Sequence, residues 1–139
     1  MIDKKIRSLI EQYEEPGDFT HVKVTDNMVV VAEHELGVKL PGAYIEFLKL
    51  YGHGGICGVC TNGICLDNSV AFVEDTLEYR NEGLPLNLVV IENVGEWLFC
   101  IDTSTGKVVS WDMSGNINED YDNFEEYLIS QMNDAIENM

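Results

Sequence analysis

The chain has 139 residues and a formal net charge of −17, from 25 acidic and 8 basic side chains. This length predicts a single domain over residues 1–139, and a surface this acidic repels phosphate backbones, which excludes direct nucleic-acid binding. The N-terminus lacks the apolar core of a signal peptide, and no apolar run approaches the ~18 residues that span a bilayer. We therefore expect a cytoplasmic protein that does not act at a membrane.

The first third of the chain has the apolar spacing of helices. Residues 2–13 repeat apolar side chains with helical period and are followed by Pro16-Gly17, which predicts an amphipathic helix ending there. Thr25 or Asp26 can cap a second helix, because their side-chain oxygens accept from the free N–H groups of its first turn. Gly37 suits the end of that helix, where a residue with positive φ is favoured.

A third helix is predicted after Pro41, which suits a first helical turn because its missing N–H is not needed there. Gly52, Gly54 and Gly55 end this helix and allow a close turn of the backbone. The apolar stripe of the helix has the spacing i, i+3, i+4, i+7 and consists of Tyr44, Phe47, Leu48 and Tyr51.

After residue 55 the apolar period changes from 3.6 to 2, which predicts strands. Asn62-Gly63 is favoured in a type I′ turn, so residues 56–61 and 64–66 are predicted to form a hairpin. Residues 69–82 are compatible with a short helix, and the polar residues 114–122 predict a loop. Three further strands are predicted at residues 86–92, 97–102 and 107–112, the last two joined as a hairpin by residues 103–106. An amphipathic helix capped by Tyr121-Asp122-Asn123 is predicted at residues 124–136.

Helices at both ends and strands in the middle predict an α+β domain, in which N- and C-terminal helices cover one face of an antiparallel sheet of about five strands. A long gapped pattern begins at Glu33 and runs to Gly55. It resembles the signature of the SUKH superfamily, whose members are bacterial toxin-immunity proteins and related fungal cell-wall regulators. The matching residues are Glu33, Leu36-Gly37, Leu40-Pro41, Tyr44, Phe47-Leu48, Tyr51-Gly52 and Gly54-Gly55.

The sequence contains no recognisable catalytic motif. Glu92 with Glu96, or Asp102 with Asp112, has the chemistry to hold a divalent ion or act as acid and base, but no nucleophile or basic clamp accompanies either pair. Three cysteines lie close together, at Cys57, Cys60 and Cys65. They leave a zinc or redox site open as an alternative to buried thiols, and we expect no catalytic residue, metal or cofactor.

Aromatic and acidic residues are concentrated on the predicted sheet and just after it. Residues 71–139 carry 15 acidic and 2 basic side chains. Aromatic anchors in a negatively charged surround suit a binding face for a basic protein, although tryptophans in the core with acids facing solvent would give the same pattern. The predicted partner-binding residues are Glu92, Glu96, Trp97, Trp111, Asp112, Glu119 and Asp120.

The resemblance implies an immunity protein of a polymorphic or contact-dependent toxin system, which binds and neutralises a cognate toxin. A basic nuclease is the expected partner, because nucleases grip phosphates and an acidic surface attracts them. Within the resemblance, Glu92 and Trp111-Asp112 match recurrent family positions, whereas Met113 stands where a histidine is frequent. The alternatives are a regulatory protein-interaction scaffold and, less favoured, a small hydrolase or metal-dependent enzyme.

Overall fold

The structure is a computed structural model that describes residues 2–139. The predicted α+β class is confirmed, since helices at both ends enclose a central antiparallel sheet. No helix among residues 2–139 has the length and apolar content to cross a membrane. The elements are α1 Lys4–Tyr13, α2 Asp26–Leu36, α3 Gly42–Tyr51, α4 Ala71–Arg80, β1 Leu88–Asn93, β2 Leu98–Asp102, β3 Val108–Trp111, β4 Ile117–Tyr121 and α5 Phe124–Glu137.

The helix ends follow the predicted signals closely. Thr25 caps α2, with its hydroxyl accepting from the Met28 N–H at 3.2 Å. Gly37 ends the same helix with φ at +70°. Pro41 immediately precedes α3 as its N-terminal cap, and Asn123 caps α5 by accepting from the Glu126 N–H. Local sequence therefore sets the boundaries of these helices.

The sheet is an antiparallel meander with strand order β1-β2-β3-β4. Helix α4 lies against β1, where the Thr76 hydroxyl accepts the Val90 N–H at 2.9 Å. The larger core joins one sheet face, with Val89 and Ile101, to side chains of α1, α2, α3 and α5. The opposite face also has a core, smaller and closed by Tyr79 of α4, so both faces are partly covered. This second cluster contains Leu84, Leu88, Val90, Leu98, Cys100, Val109 and Trp111.

The hairpin predicted at residues 56–66 is wrong. This segment contains only isolated bridges, and neither Asn62 nor Gly63 has the positive φ of a type I′ turn. Gly63 is instead needed for close approach, because its Cα lies directly against the Gly52 carbonyl, which accepts the Ile64 N–H. The segment packs against the C-terminal end of α3 and is not part of the sheet.

The loop predicted at residues 114–122 is also wrong, since residues 117–121 form strand β4. This edge strand carries mostly exposed side chains, so it has no apolar alternation from which a strand could be predicted. Strand β4 replaces the two strands of the mistaken hairpin, which leaves four strands where about five were predicted.

Candidate functional site

Several predicted partner-binding residues lie together at one end of the sheet. Leu98, the first residue of β2, pairs with Trp111, the last residue of β3. In an antiparallel ladder this register brings the residue before β2 close to the residue after β3. Those residues are Trp97 and Asp112, which are fifteen positions apart in the sequence.

Two shallow depressions open at this point, with volumes of about 220 and 160 Å³. Both are lined by Glu96, Trp97, Trp111 and Asp112, and we call the two together the sheet-end groove. The larger depression adds polar side chains and the smaller one adds apolar side chains, so the groove offers both kinds of contact. The additional lining residues are Ser110, Asn116 and Asn118 in the first, and Tyr79, Gly95, Leu98 and Met113 in the second.

The two tryptophans of the groove have different environments. Trp97 is 37% exposed and stands edge-on to Phe99, with ring centroids 6.2 Å apart. Trp111 is only 3% exposed and packs in the smaller core against Tyr79. Trp97 therefore presents aromatic surface to solvent, while Trp111 lines both depressions from its buried position in the smaller core.

The Asp112 carboxylate is fixed by the turn that leads to β4. It accepts the Ser114 N–H at 2.9 Å, the Asn116 N–H at 3.1 Å and the Asn116 side-chain amide at 3.2 Å. The backbone and side-chain bonds from Asn116 are the main causes that hold the pKa of Asp112 below its usual value. Asp112 thus keeps its negative charge to a lower pH than an ordinary aspartate, and Glu96, which also lines the groove, is exposed.

Glu92 is not grouped with these residues. A bulge follows Val90, so Glu92 pairs opposite Phe99 and its side chain meets α5, where the Tyr127 hydroxyl donates to its carboxylate at 2.5 Å. Burial raises the pKa of Glu92, and the bond from Tyr127 partly opposes this shift. The carboxylate therefore ties the sheet to α5.

We expect Glu92→Gln to stabilise the protein slightly at pH 7. Because the folded state raises the pKa of Glu92, its contribution is most favourable below the unfolded value and is lost as the pH rises through the folded value. An amide keeps an acceptor for Tyr127 without the buried charge. Thermal unfolding should show a gain of about 1–3 °C at pH 7 that vanishes near pH 4.

The exposed residue Glu96 supplies the matched control for this variant, since Glu96→Gln removes the same charge without a buried bond. Its melting temperature should change by less than about 1 °C at either pH. A lower melting temperature for Glu92→Gln at pH 7 would show that the ionised carboxylate is favourable in the fold.

The other two predicted residues, Glu119 and Asp120, lie on strand β4 and are exposed. Glu119 forms an ion pair with Lys107 at 3.0 Å, which offsets part of its charge. A second bulge falls at Asp120, between the paired residues Glu119 and Tyr121. Strand β4 therefore extends the acidic surface beyond the groove but does not line it with these two carboxylates.

The carboxylate pairs considered for catalysis are not assembled. Asp102 follows the buried part of β2 at the end of the sheet opposite to Asp112, and there it accepts the Asn87 amide at 2.9 Å. Glu92 and Glu96 also have different environments, because the Glu92 carboxylate accepts from the Tyr127 hydroxyl and Glu96 faces solvent. No acid and base are therefore held at a common substrate position by these residues.

The cysteines show no arrangement for metal binding or thiol catalysis. All four are free thiols, and no three His, Cys, Asp or Glu residues within 2–139 are placed to hold a metal ion. Cys60 lies 3.4 Å from Nε2 of His53, whose Nδ1 accepts the Gly63 N–H. The neutral ring then carries its proton on Nε2 and cannot take the proton of Cys60, while burial raises the pKa of that thiol.

Seven residues that line the groove were not among the partner-binding residues predicted from the sequence: Tyr79, Gly95, Leu98, Ser110, Met113, Asn116 and Asn118. Asn116 and Asn118 belong to the segment mistaken for a loop, so their position depended on the strand that was missed. Tyr79 comes from α4, and no sequence signal relates that helix to the β2–β3 end of the sheet.

One protein-family model matches most of the chain. The family model described as SUKH_5: SMI1-KNR4 cell-wall matches residues 6–133, from α1 to within α5. The match includes all four strands and the whole sheet-end groove. The resemblance noted in the segment from Glu33 to Gly55 is thereby confirmed, and the chain belongs to the SUKH family.

Proposed function

We propose that this chain is an immunity protein of a bacterial polymorphic or contact-dependent toxin system. In this proposal it binds and neutralises a cognate basic toxin, a nuclease, in the cytoplasm, and it is not an enzyme. Membership of the SUKH family supports a toxin-immunity or SMI1-KNR4-like role, and members of the family are generally not catalytic. Family membership supports this role in general, and the identification of the partner as a toxic nuclease is our proposal.

The observation that carries the proposal is the sheet-end groove. A partly exposed indole, Trp97, lines it together with the exposed Glu96 and the fixed carboxylate of Asp112. A guanidinium or ammonium group is attracted both to the face of an indole and to carboxylates. A lysine or arginine that grips phosphate on a nuclease has the chemistry to enter this groove.

The charge of the whole molecule supports the same partner. A net charge of −17 attracts a basic protein over long range and raises the rate of association at low salt. Protection of a cell requires tight binding, and nanomolar affinity corresponds to about −12 kcal/mol. A rigid groove with an aromatic anchor supplies such affinity better than a flexible acidic tail, because less conformational entropy is lost on binding.

We expect that co-expression with the toxin encoded beside its gene restores the growth of cells that express the toxin. The two proteins should copurify as a stable complex, because neutralisation by binding requires that the toxin stay occupied. Growth curves and size-exclusion chromatography of the coexpressed proteins measure both effects. Expression of the toxin with a folded but unrelated acidic protein is the control for charge alone.

If this chain is abundant and folded but growth is not restored, the immunity proposal is wrong. Restored growth without a complex would also contradict it, since the proposed mechanism is direct capture. Turnover of a substrate that is lost on mutation of Glu92 or Asp112 would favour an enzyme instead.

A regulatory interaction scaffold is the second candidate, and the description of the matched family as SMI1-KNR4 cell-wall favours it. Such a scaffold would use the same groove for a cellular partner and would have no toxin gene beside its own. Capture of a cell-wall regulatory protein by the wild-type chain, together with failure to protect against any neighbouring toxin, would support this alternative.

A further inference from the structure

Helix α2 carries apolar side chains that are not buried in the core of the domain. Val29, Ala32 and Leu36 face the core and are at most 6% exposed. Val30 and Val31 follow directly but are 58% and 46% exposed. Valine is not favoured on an exposed helix surface, because its branched side chain loses rotamer freedom there without gaining burial. These two valines therefore indicate a surface that becomes covered.

Depressions lie on both sides of this pair of valines. One of about 440 Å³ lies between α2 and the start of α4, and its walls are mainly apolar: Met28, Val31, Ala32, Val70 and Val73. The other, of about 390 Å³, lies at the end of α2 and is lined by Val30 and Val38 together with polar residues. We call Val30, Val31 and these two depressions the α2 face. The α2 face thus has an apolar ridge, formed by Val30 and Val31, beside the mainly apolar depression of 440 Å³.

The charges around the α2 face are balanced, in contrast to the rest of the chain. Lys23 and Glu35 both line the depression of 440 Å³. Lys39 and Glu33 both line the other depression, where the Glu33 carboxylate accepts the Leu40 N–H at 2.8 Å. Two copies of a protein with net charge −17 repel each other, and the charged residues that line this face add no net charge of their own to that repulsion.

We propose that the α2 face is a homodimer interface, in which the α2 helices of two copies pack antiparallel about a two-fold axis. A two-fold interface uses the same patch on both copies, so it requires a surface that fits itself. The Val30-Val31 ridge of one copy enters the apolar depression of the other, in the manner of ridges and grooves on packed helices. Lys23 of one copy then faces Glu35 of the other.

The proposed dimer leaves the sheet-end groove open to a partner. Its lining residues come from α4 and from the β1–β4 region, and none of them belongs to α2. Dimerisation is therefore a separate property from toxin binding and can be tested without any toxin.

We expect the full chain to have twice its monomer mass of 15.6 kDa in sedimentation velocity over about 10–500 µM. Val31→Glu should sediment as a monomer, because it places a charge in the apolar contact. Ile117→Glu is the matched control, since Ile117 is also β-branched and 48% exposed but lies on β4. It should remain dimeric. A monomeric wild type over this range, or a dimeric Val31→Glu, would overturn the proposal.

A charge exchange tests the antiparallel arrangement. Lys23→Glu and Glu35→Lys should each weaken dimerisation about tenfold, because each places like charges opposite one another. The double variant should recover affinity to within about threefold of wild type, since the opposite charges face each other again. Two single effects that simply add in the double variant would show that these residues do not meet across the axis.

Discussion

Gly63→Ala is expected to prevent folding of this domain, whereas Gly42→Ala should make it more stable. A Cβ at position 63 would overlap the carbonyl group of Gly52, which is backbone and cannot rotate away. That carbonyl accepts the Ile64 N–H at 2.9 Å, so any displacement also breaks the bond that holds the segment against α3. The cost is of the order of the whole stability of a domain, about 5–15 kcal/mol.

Gly42 is the matched control, because it begins α3 with open space around its Cα and without positive φ. Alanine there reduces the entropy of the unfolded chain and should add about 0.5–1 kcal/mol. Circular dichroism and urea unfolding measure both variants. A soluble Gly63→Ala protein with a midpoint near that of wild type would contradict the close approach of residues 52 and 63.

The helices were predictable because the signals at their ends are local. Thr25 and Asn123 satisfy N–H groups of their own helices, and Gly37 takes the backbone angle that the helix end requires. The errors came from segments whose conformation is set by distant contacts. Gly63 is required because its backbone lies against the carbonyl of Gly52. Strand β4 forms because its backbone pairs with the edge of β3.

The site was predictable only in part, for a similar reason. The hairpin predicted between residues 97–102 and 107–112 places Trp97 and Trp111 at the same end of neighbouring strands, and the observed register confirms that pairing. The bulge after Val90 turns Glu92 toward Tyr127, and a bulge leaves no mark in this sequence. The sequence thus indicated an acidic aromatic region, and the pairing of the strands selected Glu96, Trp97 and Asp112 from it.

Trp97→Ala should weaken binding of the cognate toxin by about 30-fold or more, because aromatic anchors at the centre of an interface contribute about 2 kcal/mol or more. The domain should stay folded, since the indole is partly exposed and contacts Phe99 at its edge. Trp111→Ala is unsuitable for this test. Trp111 is almost fully buried, so its removal is expected to cost about 3–5 kcal/mol of folding stability.

Charge reversal in the groove separates local contact from the attraction of the whole molecule. Glu96→Lys and Glu11→Lys change the net charge equally, but Glu11 is exposed on α1, outside the groove. Surface plasmon resonance with the toxin should show about tenfold faster dissociation for Glu96→Lys and less than about twofold for Glu11→Lys. Equal effects of the two variants would mean that only overall charge attracts the toxin. For the Trp97→Ala variant, a toxin affinity within about threefold of wild type would show that the toxin binds a surface other than the groove.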